Sequence, residues 1–197
     1  MTAVAAGGRT AGAQVSADER NQIEQALAAY CRGLDRFDRE VALSPFGEDA
    51  VLNYSGIYVG DAPGFMDWVW PFHEKLELNA HRIANVFIER NPSGELVSES
   101  YVTSLLRRRD GERFVDRVGY GRYIDRWAET GDGRLVIAER EYVNDLVTEM
   151  TNPAETARAV APVDGVPAFA ASRGPDDASY RLLAGAGVPA SAVRAGR

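Results

Sequence analysis

From residue 79 onward the apolar spacing changes from helical to alternating, and this change constrains the fold most strongly. The alternation predicts four extended segments separated by turn signals rich in Gly, Asp and Asn: His81–Glu89, Leu96–Leu106, Glu112–Trp127 and Arg134–Val147. Long strands joined by tight hairpins form an antiparallel meander, which curls because strands twist.

An amphipathic helix precedes these strands. Ser16, followed three residues later by Glu19, is a capping box that predicts where the helix begins. Apolar side chains then recur at steps of three or four residues, at Ile23, Leu27, Tyr30, Cys31 and Leu34. A second, shorter helix is predicted before Asp49, with a bent hairpin over residues 48–59. Helices first and strands afterwards predict an α+β fold with the helices on one face of the sheet.

A third helix is predicted to begin at Asp61, with Pro71 kinking it or ending its first part. Its apolar face is unusually aromatic and consists of Phe65, Trp68, Val69 and Phe72. Such a face suits either the wall of a site for a flat organic ligand or an ordinary core helix. We interpret His73, which follows on this helix, as a structural residue.

Length and charge limit the domain organisation and the partners. The 197 residues fit one domain, which we predict over residues 16–150. Residues 1–15 are predicted to be a disordered start, and residues 151–197 a tail that docks in part and ends in disorder.

The net charge of −7 argues against nucleic acid as a partner. No segment approaches the roughly 20 apolar residues of a membrane span. A single cysteine, Cys31, permits no internal disulfide and is consistent with a cytoplasmic location.

The residues that could carry chemistry are few, because the chain has only two histidines. His81 opens the first long strand and shares a predicted face with Ile83, Asn85 and Phe87. If this face lines a cavity, His81 can meet Asp35, which ends the apolar stripe of the first helix. A carboxylate bonded to one imidazole nitrogen leaves the other nitrogen free to act as a base. Alternatively, His81 begins a strand and Asp35 ends a helix without meeting.

Other chemistries find little support in the sequence. No pair of histidines stands at metal-ligand spacing, and neither a nucleotide-binding glycine motif nor a GxSxG motif is present. Proton transfer that needs neither a metal nor a cofactor is therefore the chemistry left for an enzyme.

Several short runs of residues resemble those of a known protein family. They are residues 30–38 (YCRGLDRFD), 46–50 (FGEDA), 58–60 (YVG), 80–85 (AHRIAN), 121–127 (GRYIDRW) and 137–140 (IAER). With these runs the chain resembles the SnoaL-like branch of the nuclear-transport-factor-2-like superfamily, of the scytalone dehydratase and bile-acid 7α-dehydratase type. This resemblance implies a cone-shaped barrel, in which a curved mixed or antiparallel sheet is wrapped by N-terminal helices around an apolar pocket.

The resemblance also implies roles for individual residues. Asp35 falls on the carboxylate and His81 on the base of a catalytic dyad, and Tyr30 matches a tyrosine that polarises a substrate carbonyl. Arg140 matches a late-strand arginine that binds substrate. Further substrate-binding residues are predicted at Tyr54, Trp68, Phe72, Tyr142 and Asn144. Members are commonly trimers, so a homo-oligomer, either a trimer or a dimer, is expected.

Together these observations predict a cofactor-independent lyase, a dehydratase above all, or an isomerase that acts on an apolar cyclic small molecule. Two other classes of function stay open. One is a non-catalytic small-molecule-binding protein or the small subunit of a ring-hydroxylating oxygenase. The other is a polyketide cyclase, in which an acid drives ring closure and no histidine is needed nearby.

Overall fold

The computed structural model describes residues 14–153, 172–174 and 177–185, and the predicted disordered start lies outside them except for residues 14 and 15. The helices are α1 (Ala17–Arg36), α2 (Arg39–Leu43), α3 (Ala62–His73) and α4 (Ala178–Leu183). The strands are β1 (Phe46–Tyr54), β2 (Tyr58–Asp61), β3 (Leu78–Arg90), β4 (Leu96–Asp110), β5 (Arg113–Glu129) and β6 (Leu135–Pro153). This order confirms the predicted α+β fold.

All six strands form one mixed sheet in the order β2-β1-β6-β5-β4-β3. The predicted antiparallel meander is confirmed over β3 to β6, and β1 joins it by parallel pairing with β6. β6 continues to Pro153, three residues beyond the predicted domain boundary, because it stays paired with β5 as far as Arg113. The sheet curves without closing, so β2 and β3 are its free edges.

A bulge in β3 changes the face that its side chains occupy. Asn85 has a φ of 49°, and the pairing of β3 with β4 shifts between Ala84 and Phe87. One extra residue reverses the alternation of a strand. The predicted common face therefore ends at Ile83: Phe87 is 56% exposed, whereas Ile88 is buried.

The helix α1 packs its two halves against different parts of the sheet. The predicted capping box of Ser16 and Glu19 is confirmed at its start. In the first half, Ile23 and Leu27 belong to a cluster that also contains Ile88, Leu96, Trp127 and Ile137. In the second half, Tyr30 and Leu34 belong to a cluster with residues of α3, β1 and β5. The first half thus fills one end of the curved sheet, and the second half brings side chains toward the other end.

The helix α3 forms the opposite wall. The Asp61 side chain accepts a 2.7 Å hydrogen bond from the Gly64 amide and caps its start. The helix continues through Pro71 to His73, so the proline does not end it. Phe65, Met66 and Val69 are buried, whereas Trp68 and Phe72 lie at its more exposed edge.

The described part of the tail packs against the junction of α1 and α2. Ser179 accepts a 3.1 Å hydrogen bond from Arg32, and the Tyr180 hydroxyl donates to Asp38 at 2.8 Å. Arg36 lies 3.4 Å from Asp177. The rest of the predicted tail lies outside the described residues.

The sheet face opposite the helices carries exposed apolar side chains on neighbouring strands, namely Phe87, Tyr101, Tyr120, Ile124 and Leu146. Contiguous apolar surface is typical of protein interaction sites. The homo-oligomer stays a prediction, and this face is where we expect its interface. Among the described residues, no helix combines the length and the apolar character needed to cross a bilayer.

Candidate active site

A cavity of about 430 Å³ lies between the inner face of the sheet, the second half of α1 and α3. This volume is within the range of small-molecule sites. Its lining is mostly apolar and aromatic. Tyr30, His81 and five of the six predicted substrate-binding residues border it: Tyr54, Trp68, Phe72, Tyr142 and Asn144.

Asp35 and His81 meet as the sequence predicted they could. His81 Nδ1 lies 2.8 Å from Asp35 Oδ1, and the His81 backbone amide donates to Asp35 Oδ2 at 2.9 Å. The side chains are 8% and 15% exposed, respectively. Because β3 is an edge strand, the His81 amide can point toward α1, where the Asp35 carboxylate accepts its hydrogen bond. Asp35 therefore fixes the backbone and the ring of His81 together.

This arrangement sets the tautomer of His81. A carboxylate accepts hydrogen bonds, so the neutral ring carries its proton on Nδ1 and leaves Nε2 unprotonated. Nε2 has no hydrogen-bond partner among the described residues. His81 borders both this cavity and a second hollow between α1 and β3, whereas Asp35 borders only the second hollow. The carboxylate thus supports the imidazole without facing the cavity.

Asp38, the second aspartate of the 30–38 run, has a structural place. Its side chain accepts a 3.1 Å hydrogen bond from the Val41 amide and caps α2. It also accepts the hydrogen bond of Tyr180. Only Asp35 of this pair reaches His81.

Tyr30 and Tyr54 form a buried pair that borders the same cavity as His81, with their hydroxyl oxygens 2.6 Å apart. Tyr54 stacks on Phe65 at 4.0 Å between ring centres, which fixes its orientation. Burial raises the pKa of both phenols, and that of Tyr30 lies well above its ordinary value. The two hydroxyls share one hydrogen bond, in which either oxygen can be the donor. The hydroxyl that accepts this bond keeps its own hydrogen for another acceptor.

Arg140 does not lie where its predicted substrate-binding role would place it. It is fully buried, does not border the cavity and makes a two-pronged ion pair with Asp125 at 2.7 and 2.8 Å. Its guanidinium lies 4.6 Å from the ring centre of Tyr30 and 4.1 Å from that of Tyr123. Arg140 therefore supports the tyrosines from behind rather than touching the cavity contents.

A family model of the SnoaL-like domain matches residues 15–141. The chain belongs to the SnoaL-like family. No curated protein matches the chain at a significant level.

Solved structures share the fold of this SnoaL-like protein. A candidate scytalone dehydratase from Novosphingobium aromaticivorans DSM 12444 is 22% identical, with a TM-score of 0.59 over 73% of this chain and 96% of that one. The hexachlorocyclohexane dehydrochlorinase LinA-type3 from Novosphingobium barchaimii LL02 is 15% identical, with a TM-score of 0.57 over 74% and 96%. A Nostoc punctiforme protein of unknown function with a cystatin-like fold is 21% identical, with a TM-score of 0.55 over 67% and 95%. At these identities the likeness is one of fold.

His73 also borders the cavity of this SnoaL-like protein, which the sequence did not indicate. Its Nδ1 lies 3.1 Å from the Asn79 amide nitrogen, and its ring centre lies 6.3 Å from that of His81. Burial lowers the pKa of His73 to about 3, and the charges of His81 and Arg173 add to this effect. His73 is therefore a neutral ring in the cavity wall.

The low pKa of His73 predicts a pH dependence of stability. The unfolded chain takes up a proton at this residue near its ordinary pKa of 6.5, whereas the folded protein does so only near 3. The free energy of unfolding should therefore fall as the pH is lowered from about 6.5 toward 3. Urea unfolding between pH 4 and 8 should show a shallower fall for His73→Gln than for the wild type. Equal slopes in the two proteins would contradict this prediction.

Several other lining residues were not predicted as site residues. Tyr123 and Gly119 belong to β5, whose inner face alternates regularly through Gly119, Gly121, Tyr123, Asp125 and Trp127. This alternation was visible in the sequence and could have assigned Tyr123 to the pocket side. Arg117 and Ser104 border the cavity as well. No sequence signal distinguishes them from ordinary strand residues.

Proposed function

We propose that this SnoaL-like protein is a cofactor-independent lyase or isomerase that removes a proton from a carbon of an apolar cyclic small molecule. The observation that supports it is the imidazole of His81, held at 2.8 Å by a partly buried carboxylate and bordering an apolar cavity. A positioned histidine of this kind contributes about 10²- to 10⁴-fold to proton transfer.

The chemical step begins at His81. Its Nε2 takes a proton from a carbon made acidic by a neighbouring carbonyl or leaving group. The ring becomes positively charged, and Asp35 stabilises this charge at the Nδ1 side. The partly buried position of the pair strengthens this interaction relative to water.

The electrons of the broken C–H bond move toward the carbonyl oxygen. Tyr54 donates a hydrogen bond to this oxygen, and the Tyr30 hydroxyl, 2.6 Å from that of Tyr54, supports it as a hydrogen-bond partner. In a dehydration, the C–O bond to the leaving hydroxyl then breaks and His81 returns its proton to form water. In an isomerisation, the same proton returns to a different carbon.

Two observations bear on the alternative functions. An acid-driven cyclase needs an acid that faces the substrate, but Asp35 lies behind His81 and outside the cavity lining. A binding protein or oxygenase subunit needs a cavity or an interface, but it gains nothing from a carboxylate that fixes the histidine tautomer. The names of two structural neighbours, a candidate dehydratase and a dehydrochlorinase, describe eliminations and agree with the proposal.

An elimination probe tests the proposal. The compound 3-(4-nitrophenoxy)cyclohexanone releases the coloured 4-nitrophenolate when a base removes the proton next to its carbonyl. We expect the wild-type protein to accelerate this release and Tyr54→Phe to slow it by about 10²-fold, because one donor to the developing oxyanion is lost. Tyr101→Phe, on the exposed face of the sheet, is the matched control and should retain the wild-type rate. Equal rates for Tyr54→Phe and Tyr101→Phe would contradict the role of the tyrosine pair.

A further inference from the structure

We infer that His73 is a second substrate-binding residue, which donates a hydrogen bond from Nε2 to an oxygen of the molecule that His81 deprotonates. The inference rests on the proposed function in one respect, because it takes the cavity as the substrate site. It assigns the two histidines of the chain opposite tasks in one pocket.

The tautomer of His73 follows from the contacts of Asn79. The Asn79 amide nitrogen lies 3.2 Å from the Leu34 carbonyl oxygen and 3.1 Å from His73 Nδ1. A carbonyl only accepts, so the amide must turn its nitrogen, and not its oxygen, toward Leu34. The second hydrogen of the same nitrogen then points to His73. His73 Nδ1 is therefore the acceptor, and the neutral ring carries its hydrogen on Nε2.

This Nε2 hydrogen has no acceptor among the described residues. His73 is only 4% exposed, so bulk solvent has little access to its ring. Since the ring borders the cavity, we infer that the Nε2 hydrogen is directed toward the cavity space. A buried donor without a partner is costly, so an acceptor in the cavity is favoured.

The surroundings keep His73 uncharged and therefore unable to exchange roles with His81. The groups that face it from each neighbouring element are His81 on β3, Arg173 in the tail and, through His81, Asp35 on α1. His81 and Arg173 are positively charged when protonated, and the Asp35 carboxylate is already hydrogen-bonded to His81. His73 thus donates a hydrogen bond but does not take up a proton in the neutral range.

The two rings present opposite groups to the cavity. His81 offers a bare Nε2, and His73 offers an Nε2 hydrogen, with the ring centres 6.3 Å apart. A ligand that satisfies both has an acidic C–H and an oxygen acceptor within a few bonds of each other. The structure therefore favours ketones and alcohols of ring compounds over oxygen-free rings of the same shape.

Ligand binding to three proteins tests this inference. The probes are 1-tetralone, which has a carbonyl oxygen, and tetralin, which has the same ring system without oxygen. We expect His73→Phe to weaken binding of 1-tetralone by about tenfold and to change tetralin binding by less than about twofold. His73→Gln, whose amide supplies an N–H in a similar position, should bind 1-tetralone within about threefold of the wild type. The inference is overturned if His73→Phe binds 1-tetralone as the wild type does, or if it weakens both probes equally.

Nitrogen NMR of the imidazoles gives a readout on the wild-type protein, which needs no variant to fold. With only two histidines, all four ring nitrogens can be assigned. We expect His73 to be the Nε2–H tautomer and this signal to move on addition of 1-tetralone but not of tetralin. An Nδ1–H tautomer, an unmoved signal, or wild-type protein that binds 1-tetralone no better than tetralin would overturn the inference.

The two proposals can fail separately. If the wild type catalyses elimination but the His73 signal does not respond to 1-tetralone, only the role of His73 is wrong. If the signal responds but no elimination occurs, the proposed function is wrong while the binding role stands.

Discussion

His81→Ala should release 4-nitrophenolate from 3-(4-nitrophenoxy)cyclohexanone about 10²- to 10⁴-fold more slowly than the wild type. Among the described residues that border the cavity, His81 is the one imidazole with an unprotonated nitrogen that lacks a hydrogen-bond partner, and this variant removes it. The absorbance of the product gives the rate directly. Urea unfolding of the same variant checks that the fold is retained, since a partly buried side chain at the edge of a cavity is being truncated.

Asp35→Asn should slow the release of 4-nitrophenolate by a similar factor, although the side chain hardly changes in shape. An asparagine amide can donate to Nδ1, which favours the tautomer with its hydrogen on Nε2 and blocks the base. The matched control is Asp38→Asn, three residues along the same run, where asparagine still caps α2. Asp38→Asn should keep the wild-type rate. Wild-type rates in folded His81→Ala or Asp35→Asn would exclude the proposed mechanism.

Arg140→Leu should lower the free energy of unfolding by about 3–5 kcal/mol, because it leaves the fully buried Asp125 carboxylate without a partner. Burial alone would lower the pKa of Arg140, but Asp125 more than offsets this effect and holds the pKa well above its ordinary value. The guanidinium is therefore charged, and its loss cannot be compensated by water. Urea denaturation measures the change.

The matched control for this prediction is Arg122→Leu. Arg122 pairs with Asp145 and Glu99 on the outer face, where solvent screens the charges, so its loss should leave the free energy of unfolding close to the wild-type value. Replacing both partners, as in Arg140→Leu with Asp125→Leu, should recover part of the stability, because no unpaired charge remains. Equal costs for Arg140→Leu and Arg122→Leu would show that the buried pair does not stabilise the fold.

The sequence predicted the parts of the fold that depend on local patterns. The capping box at Ser16, the stripe along α1 and the turn signals between the strands each act over a few residues, so periodicity and turn chemistry suffice. The contact of Asp35 with His81 was predictable only as one of two possibilities, because it depends on how α1 packs against the edge strand β3.

Two register shifts explain much of what the sequence did not predict. The bulge at Asn85 turns Phe87 outward, and no residue before the bulge indicates in the sequence that the alternation reverses there. In β6, Ala138 is the extra residue between the pairs Trp127–Ile137 and Arg126–Glu139. Unbroken register would place Asp125 opposite Glu139, and the shift places Arg140 there instead. The buried ion pair therefore depends on one bulge.

The place of His73 depends on contacts between distant parts of the chain. Its tautomer is set by Asn79 and by the Leu34 carbonyl, 39 residues earlier in the chain, through hydrogen bonds that no local pattern encodes. The parallel pairing of β1 with β6 is a similar case, since these strands are far apart in sequence. Helix and strand periodicity identify the elements but not these pairings.

Hydrogen exchange at carbon tests the removal of a proton by His81 most directly, since it needs no leaving group. In D₂O, the wild-type protein should incorporate deuterium at the carbon next to the carbonyl of 1-tetralone, measured by NMR, much faster than His81→Ala at the same concentration. Wild-type protein that binds 1-tetralone yet incorporates deuterium no faster than His81→Ala would contradict the account.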